Sequence, residues 1–199
     1  MPTISSTGVR WFSSRLQFVR LIALRHGQSE YNLLGLCNDS VVDSVPLTPL
    51  GVEQATAAGR QLVGHDIDVL YCSPLQRTRE TAAIVAQYAG LFPVVDGRLA
   101  DIRSGFNGRP VADYLAAIAA DPVDASVAGG ESLREYRARV NGFLDELRLQ
   151  ELAVVVLVVH EETLRVLRSV CHGDELADVA GRAYQHCVPY EFQLESSNR

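Results

Sequence analysis

The chain contains no lysine: all 18 of its basic residues are arginine. That absence excludes the phosphate-cradling lysine of a P-loop, the ATP-binding lysine of a kinase and a Schiff-base lysine. Phosphate chemistry here has to run on arginine and histidine. Cysteine is sparse too: Cys37, Cys72, Cys171 and Cys187 lie far apart without a Cys-x-x-Cys pair. The pattern fits a reducing compartment better than a disulfide framework, so a cytoplasmic location is expected. Cys171-His172 and His186-Cys187 offer adjacent metal-ligand types, but zinc sites seldom use adjacent residues, and ordinary packing is the better reading. Long apolar runs are missing as well, none reaching the roughly 18 residues that span a bilayer, so neither a membrane span nor an export signal is expected. A net charge of −6, with no basic stripe and interleaved aromatics, argues against a general nucleic-acid partner. Asn38-Asp39-Ser40 fits a glycosylation sequon, but without a secretory signal before it the match reads as accidental.

What is present points to one α/β domain: 199 residues, 47% of them apolar, suffice for one substantial core and are few for two. Met1 to Arg20 differ from the rest, with Arg10, Arg15, Arg20, several serines and no acid. This is the composition of an organellar transit peptide, and a start codon assigned too early gives the same picture. Residues 1–20 are therefore expected outside the core, and residues 21–199 as the folded domain. Along that domain strand-like and helix-like stretches alternate. Leu21 to Leu24, Asp68 to Ser73, Phe92 to Val95 and Leu152 to Val159 read as strands, the last as a central buried one. Tyr184 to Leu194 reads as a further strand that Pro189 confines to an edge. Gly51 to Val63, Leu75 to Tyr88, Val111 to Ala120, Glu131 to Leu149 and Glu162 to Val170 read as helices. The sum predicts three layers, a mostly parallel central sheet with helices on both faces.

The run Leu21-Ile22-Ala23-Leu24 ends abruptly in Arg25-His26-Gly27. Open α/β sheets bind ligands outside the carboxyl ends of their strands, and an arginine fork with an imidazole there suits a phosphate. Gly27 removes a side chain where a backbone must approach something closely. The apolar run to Val159 likewise ends in His160, and a third predicted strand leads into Ser73-Pro74-Leu75-Gln76-Arg77-Thr78. His26, His160, Arg25 and Arg77 are therefore expected to meet in one crevice.

These segments resemble the histidine phosphatase superfamily, the phosphoglycerate mutase-like proteins. The likeness lies in Arg25-His26-Gly27-Gln28-Ser29-Glu30-Tyr31-Asn32, Leu47-Thr48-Pro49-Leu50-Gly51-Val52-Glu53-Gln54-Ala55, Ser73 to Thr78, Gly129-Gly130-Glu131-Ser132 and the His160 segment, in the family's order from Leu21 to Phe192. The resemblance implies a phosphomonoesterase that needs neither metal nor cofactor and acts on a small phosphorylated metabolite. His26 would be the nucleophile and form a phosphohistidine. Arg25, Arg77 and His160 would hold the phosphoryl oxygens, with Asn32 as a neutral donor and Gln28 nearby as a possible modulator.

Three departures from the family pattern bear on that expectation. Asp101, in Leu99-Ala100-Asp101-Ile102, stands where the family usually has a glutamate proton donor, and its arm is shorter. Arg103 to Gly108 form a tighter loop that lacks the family's tryptophan. After His160 the family commonly has glycine, where this chain has Glu161-Glu162. Both carboxylates are expected to face solvent or to cap the helix; turned inward, Glu161 becomes an alternative acid or a partner for Arg25. A phosphatase is the expected class, with a phosphate-binding member without turnover as the alternative and a mutase less favoured.

Overall fold

The structure, a computed structural model, describes residues 18–197. Most of the N-terminal stretch, and with it the transit-peptide reading, lies outside the described residues. Strand β1 runs from Phe18 to Arg25, so the expected boundary after Arg20 moves back. Phe18, Val19 and Arg20 pair with Glu195, Leu194 and Gln193, and Val19 is fully buried.

Helix α1 (Glu30–Leu34) and helix α2 (Pro49–Gln61) follow, then β2 (Val69–Cys72), α3 (Gln76–Ala89) and β3 (Val94–Val95). A 3₁₀ turn (Gly97–Leu99) precedes α4 (Val111–Ile118), α5 (Leu133–Leu147), β4 (Val154–Val159), α6 (Glu161–His172), α7 (Leu176–Val179) and β5 (Pro189–Glu195). The sequence-based reading has no counterpart to α1 or α7, which at five and four residues are too short to carry an apolar period. Pro189 opens β5 instead of interrupting it, a position where its missing N–H costs the ladder least.

The sheet has the order β3-β2-β4-β1-β5, parallel except for β5 against β1. Its two central strands are apolar on both faces because both faces are covered. Leu21 and Ala23 of β1, with Val155, Leu157 and Val159 of β4, pack beneath α5, α6 and α7. Ile22, Leu24, Val156 and Val158 pack beneath α2 and α3. The predicted three layers are thus present. Among the described residues no helix is long and apolar enough to cross a membrane.

One topological detail locates the site. β1 and β4 are neighbours, yet the chain leaves β1 toward α2 on one face and leaves β4 into α6 on the other. Adjacent strands whose connections diverge in this way open a crevice at their carboxyl ends.

Gly27 and Gly51 let α2 close against that crevice. A Cβ on Gly27 would lie 2.5 Å from the Gly51 carbonyl oxygen, and one on Gly51 would lie 2.1 Å from that of Gln28. The close approach read from Gly27 is therefore to the start of α2. Gly51→Ala is expected to lower stability by about 1–3 kcal/mol, the scale of backbone-forcing overpacking. Gly142 lies exposed within α5 with nothing near its Cβ position, so Gly142→Ala should raise stability by about 0.5–1 kcal/mol. Denaturant midpoints of the two variants check both signs; a neutral Gly51→Ala would remove the packing account.

Candidate active site

The β1–β4 register pairs Arg25 with Val159, so the next residues of the two strands, His26 and His160, emerge side by side. Their ring centroids are 5.4 Å apart. β2 is level with them: Cys72 pairs with Val158, so Ser73 and then α3 begin at the same height, and α3 delivers Arg77 from its first turn. His26, His160 and Arg77 are all buried. Burying such polar groups costs free energy unless every donor and acceptor is met, and the hydrogen bonds show how each is.

His26 Nδ1 lies 2.7 Å from the Gly27 carbonyl oxygen, which can only accept, so Nδ1 carries the proton. Nε2 therefore holds the lone pair, and Arg77 Nε donates to it at 2.9 Å. His160 has the opposite arrangement. Arg77 Nη2 donates to its Nδ1 at 3.1 Å, and its Nε2 lies 2.8 Å from Ser73 Oγ, so Nε2 is the protonated nitrogen. Burial, reinforced by the charge of Arg77, holds both imidazoles well below their ordinary pKa of 6.5.

Arg77 is the hub of the site. Besides the two histidines it donates through Nη1 to Asn38 Oδ1, and through Nη2 to the Asn38 carbonyl oxygen at 3.0 Å and to Asp101 Oδ2 at 2.7 Å. Asp101, delivered by the chain just after the 3₁₀ turn, also lies 3.3 Å from His160 Nδ1. Burial raises its pKa, the neighbouring carboxylate of Glu162 raises it further, and Arg77 pulls it down; the balance leaves it pushed up to about 8. A carboxyl group that keeps its proton near neutral pH is equipped to act as an acid.

A cavity of about 140 Å³ opens over these groups. Arg25, His26, Asn32, Arg77, Asp101, Glu161 and Glu162 all line it, as do Asn38, Asp39, Tyr31 and Tyr114. Asn32 caps α1, accepting from Ser29 N and Ser29 Oγ at 2.9 Å through Oδ1, so its amide nitrogen is the atom left to donate. His160 lies behind the lining, with Arg77 and Asp101 in front of it.

Two expectations need correction. Gln28 does not line the cavity; its side-chain oxygen accepts from Thr48 Oγ1 at 3.0 Å, which ties it to the cap of α2. Glu161 and Glu162 do not face solvent. Glu161 accepts from Arg25 Nη1 at 3.1 Å and from the Tyr184 amide at 2.7 Å, because β5 returns its preceding loop to the mouth of the crevice. Glu162 lines the same cavity as Asp101, and its charge raises the Asp101 pKa. Helix-dipole reasoning placed both carboxylates correctly at the start of α6 but says nothing about the side to which they point.

Sequence reasoning also missed His186. Its Nδ1 lies 2.7 Å from the His26 carbonyl oxygen, and its ring is 5.5 Å from that of His26. Burial lowers its pKa to about 4, with Arg25 contributing. It precedes an edge strand and follows no local motif, so only the pairing of β5 with β1 reveals its place. Asn38, passed over as an accidental sequon, contacts Arg77 through both its side chain and its carbonyl.

The tautomers are open to direct measurement. Long-range ¹H–¹⁵N correlation spectra recorded at about pH 5.5, below the usual imidazole value, should show His26 neutral with its proton on Nδ1 and His160 neutral with its proton on Nε2. Protonation of both rings there would overturn the assignment. Because both pKa values are depressed, the unfolded chain binds more protons below pH 6.5; their contribution to stability is intact above that value and is lost progressively as pH falls below it.

Comparison with known proteins identifies the family. The family model of the histidine phosphatase superfamily, branch 1, matches residues 21–197. Phosphoserine phosphatase 1 of Hydrogenobacter thermophilus is 32% identical over 168 residues, 80% of this chain and 79% of that protein. A 2,3-bisphosphoglycerate-dependent phosphoglycerate mutase of Methylobacterium sp. is 31% identical over 192 residues, 88% of this chain and 91% of the relative. Among solved structures, mycobacterial glucosyl-3-phosphoglycerate phosphatase superimposes with a TM-score of 0.69 at 30% identity, covering 82% of this chain and 84% of that one. The alpha-ribazole phosphatase from Shigella flexneri, at 23% identity and TM-score 0.77 over 89% of this chain and 94% of that one, shares the fold. With paired histidines and a buried arginine at the sheet switch point, and with nearly the whole described chain matched, this protein belongs to the histidine phosphatase superfamily.

Proposed function

We propose that the protein hydrolyses a phosphate monoester of a small metabolite through a phosphohistidine on His26. The observation that carries this reading is the fixed tautomer of His26, whose lone pair on Nε2 faces the Arg77 guanidinium in a small cavity that Arg25 also lines.

In the free site Arg77 Nε–H occupies the Nε2 lone pair. An incoming phosphate draws the guanidiniums of Arg77 and Arg25 onto its oxygens, with the Asn32 amide as a further donor, and so releases Nε2 for in-line attack. The N–P bond forms as the ester P–O bond breaks, and the Asp101 proton passes to the leaving oxygen. The phosphorylated ring then carries positive charge, and its Nδ1–H strengthens the hydrogen bond to the Gly27 carbonyl. Asp101, now a carboxylate, takes a proton from the water that attacks phosphorus. The N–P bond breaks, inorganic phosphate leaves, and both groups return to their starting forms. His160 acts from behind by positioning Arg77 and Asp101.

A binding role without turnover is the second reading. It draws on Glu161, which competes with a phosphate for Arg25.

Turnover of an aryl phosphate in the presence of a chelator separates the two. Wild-type activity that disappears in His26→Ala supports hydrolysis, whereas phosphate binding with no turnover across a metabolite panel supports the binding role. Arg77→Ala should lower kcat by about 10²–10³-fold, the scale of one preorganised charge donor.

The proton donor has its own signature. Asp101→Asn should slow alkyl phosphates, whose leaving groups need the proton, far more than aryl phosphates. In the wild type, alkyl phosphate turnover should decline as pH rises through about 8, where Asp101 loses its proton. Equal slowing of both ester classes would remove Asp101 from the role.

A further inference from the structure

We propose that the cavity selects phosphate monoesters whose leaving group is uncharged or carries an ammonium group and disfavours those bearing a second anion, with Glu162 enforcing the choice. The proposal rests on hydrolysis at His26 and defines the substrate class of that site.

The distribution of charge supports it. The charged side chains lining the cavity are Arg25, Arg77, Asp39, Asp101, Glu161 and Glu162. Both arginines stand at the inner end, one against His26 and the other against Glu161, and both are taken up when a phosphoryl group enters. Asp101 acts as a protonated acid. What remains to face the rest of the substrate is Asp39, Glu161 and Glu162, of which Glu161 stays held by the Tyr184 amide at 2.7 Å and faces Arg165 at 3.5 Å. Among the described residues no further cation lines the cavity, and the sequence has no lysine to reach in.

Position makes Glu162 the decisive one of the three. Asp101 delivers its proton to the ester oxygen, so the first atoms beyond that oxygen lie beside Asp101, and Glu162 lines the same cavity close enough for its charge to raise the Asp101 pKa. A leaving group therefore extends along Glu162. Asp39 is partly engaged, one carboxylate oxygen accepting from Ser104 N at 2.6 Å and Ser104 Oγ at 2.7 Å.

Arg165 offsets some of the charge of Glu162, donating to it at 3.1 Å through Nη1. Its Nε is held by the Arg182 carbonyl oxygen at 2.8 Å, and its Nη2 faces Glu161 at 3.5 Å. Arg165 does not line the cavity, so it moderates the field without offering a donor to a substrate anion. Tyr31 and Tyr114 complete the wall with aromatic surface and hydroxyls that suit ammonium or alcohol groups.

Matched ester pairs test the selection in the full-length protein. Glycerol 3-phosphate and 3-phosphoglycerate differ by hydroxymethyl against carboxylate; phosphoethanolamine and phosphoglycolate differ by aminomethyl against carboxylate. In each pair kcat/KM should favour the member without the carboxylate by about tenfold or more, the discrimination expected of one like-charge contact in a partly desolvated site. Glu162→Gln should shrink both ratios at least about threefold, as removal of that repulsion requires. Any effect of the substitution on the Asp101 proton is shared by the two members and cancels in the ratio. Ratios near unity in the wild type, or ratios unchanged in Glu162→Gln, overturn the proposal.

Calorimetric binding of the same four esters to His26→Ala, with and without Glu162→Gln, separates selection from hydrolysis. If the preference persists in these affinities while the wild type turns over no ester, the selection stands and the hydrolase reading fails. If aryl phosphate is hydrolysed in a His26-dependent way while the pairs are not distinguished, hydrolysis stands and the selection fails.

Discussion

A guanidinium buried where three elements converge governs this site. Arg77 cannot shed its proton, and burial denies its charge the solvation that water would give. Its nitrogens are met by a histidine nitrogen just beyond each of two strands, by Asn38 and by the Asp101 carboxyl group. Those contacts fix both imidazole tautomers, because an arginine can only donate and each ring must turn a lone pair toward it. Burial holds both histidines neutral, and the charge of Arg77 reinforces it.

Asp101 has opposing neighbours. Arg77 favours its ionised form, while burial and the adjacent Glu162 favour the protonated one, and the second influence prevails. The carboxyl group of Asp101 is accompanied by a second carboxylate, Glu162, in the lining of the same cavity. Glu161 plays a different part from its neighbour. It ties Arg25 to the loop before β5, which couples the floor of the crevice to the edge strand. Two consecutive acids at one helix start therefore act on different groups of the same cavity, one on a guanidinium and one on a carboxyl group whose pKa it raises.

The packing that supports this arrangement is built from small choices. Gly27 and Gly51 allow α2 to lie closer to the crevice than any side chain would permit. Thr81 Oγ1 accepts from the Gly27 amide at 3.0 Å, and Ser73 Oγ holds His160, so α3 and the segment after β2 fasten both histidine loops. Tyr136 of α5 reaches Thr163 Oγ1 at 2.6 Å and steadies the first turn of α6 beneath the second histidine.

Much of this was legible in the linear chain. Apolar runs on both central strands announced a sheet covered on both faces, since only a doubly buried strand can dispense with polar alternation. Their abrupt ends in Arg25-His26 and His160 announced the crevice, since strand ends of a parallel sheet share one rim. The absence of lysine confined phosphate chemistry to arginine and histidine. The direction of Glu161 and Glu162, the place of His186, the release of Gln28 to the cap of α2 and the joining of Asn38 to Arg77 were not legible. Each depends on contacts between segments far apart in the chain, and local periodicity reports only which face of an element is buried, not which distant group it meets. The sequence by itself determined the layers, the strand ends and the kinds of side chain available to bind a phosphate; the tertiary structure alone decided which carboxylates turn toward it, because that depends on which charges long-range packing places within hydrogen-bonding reach.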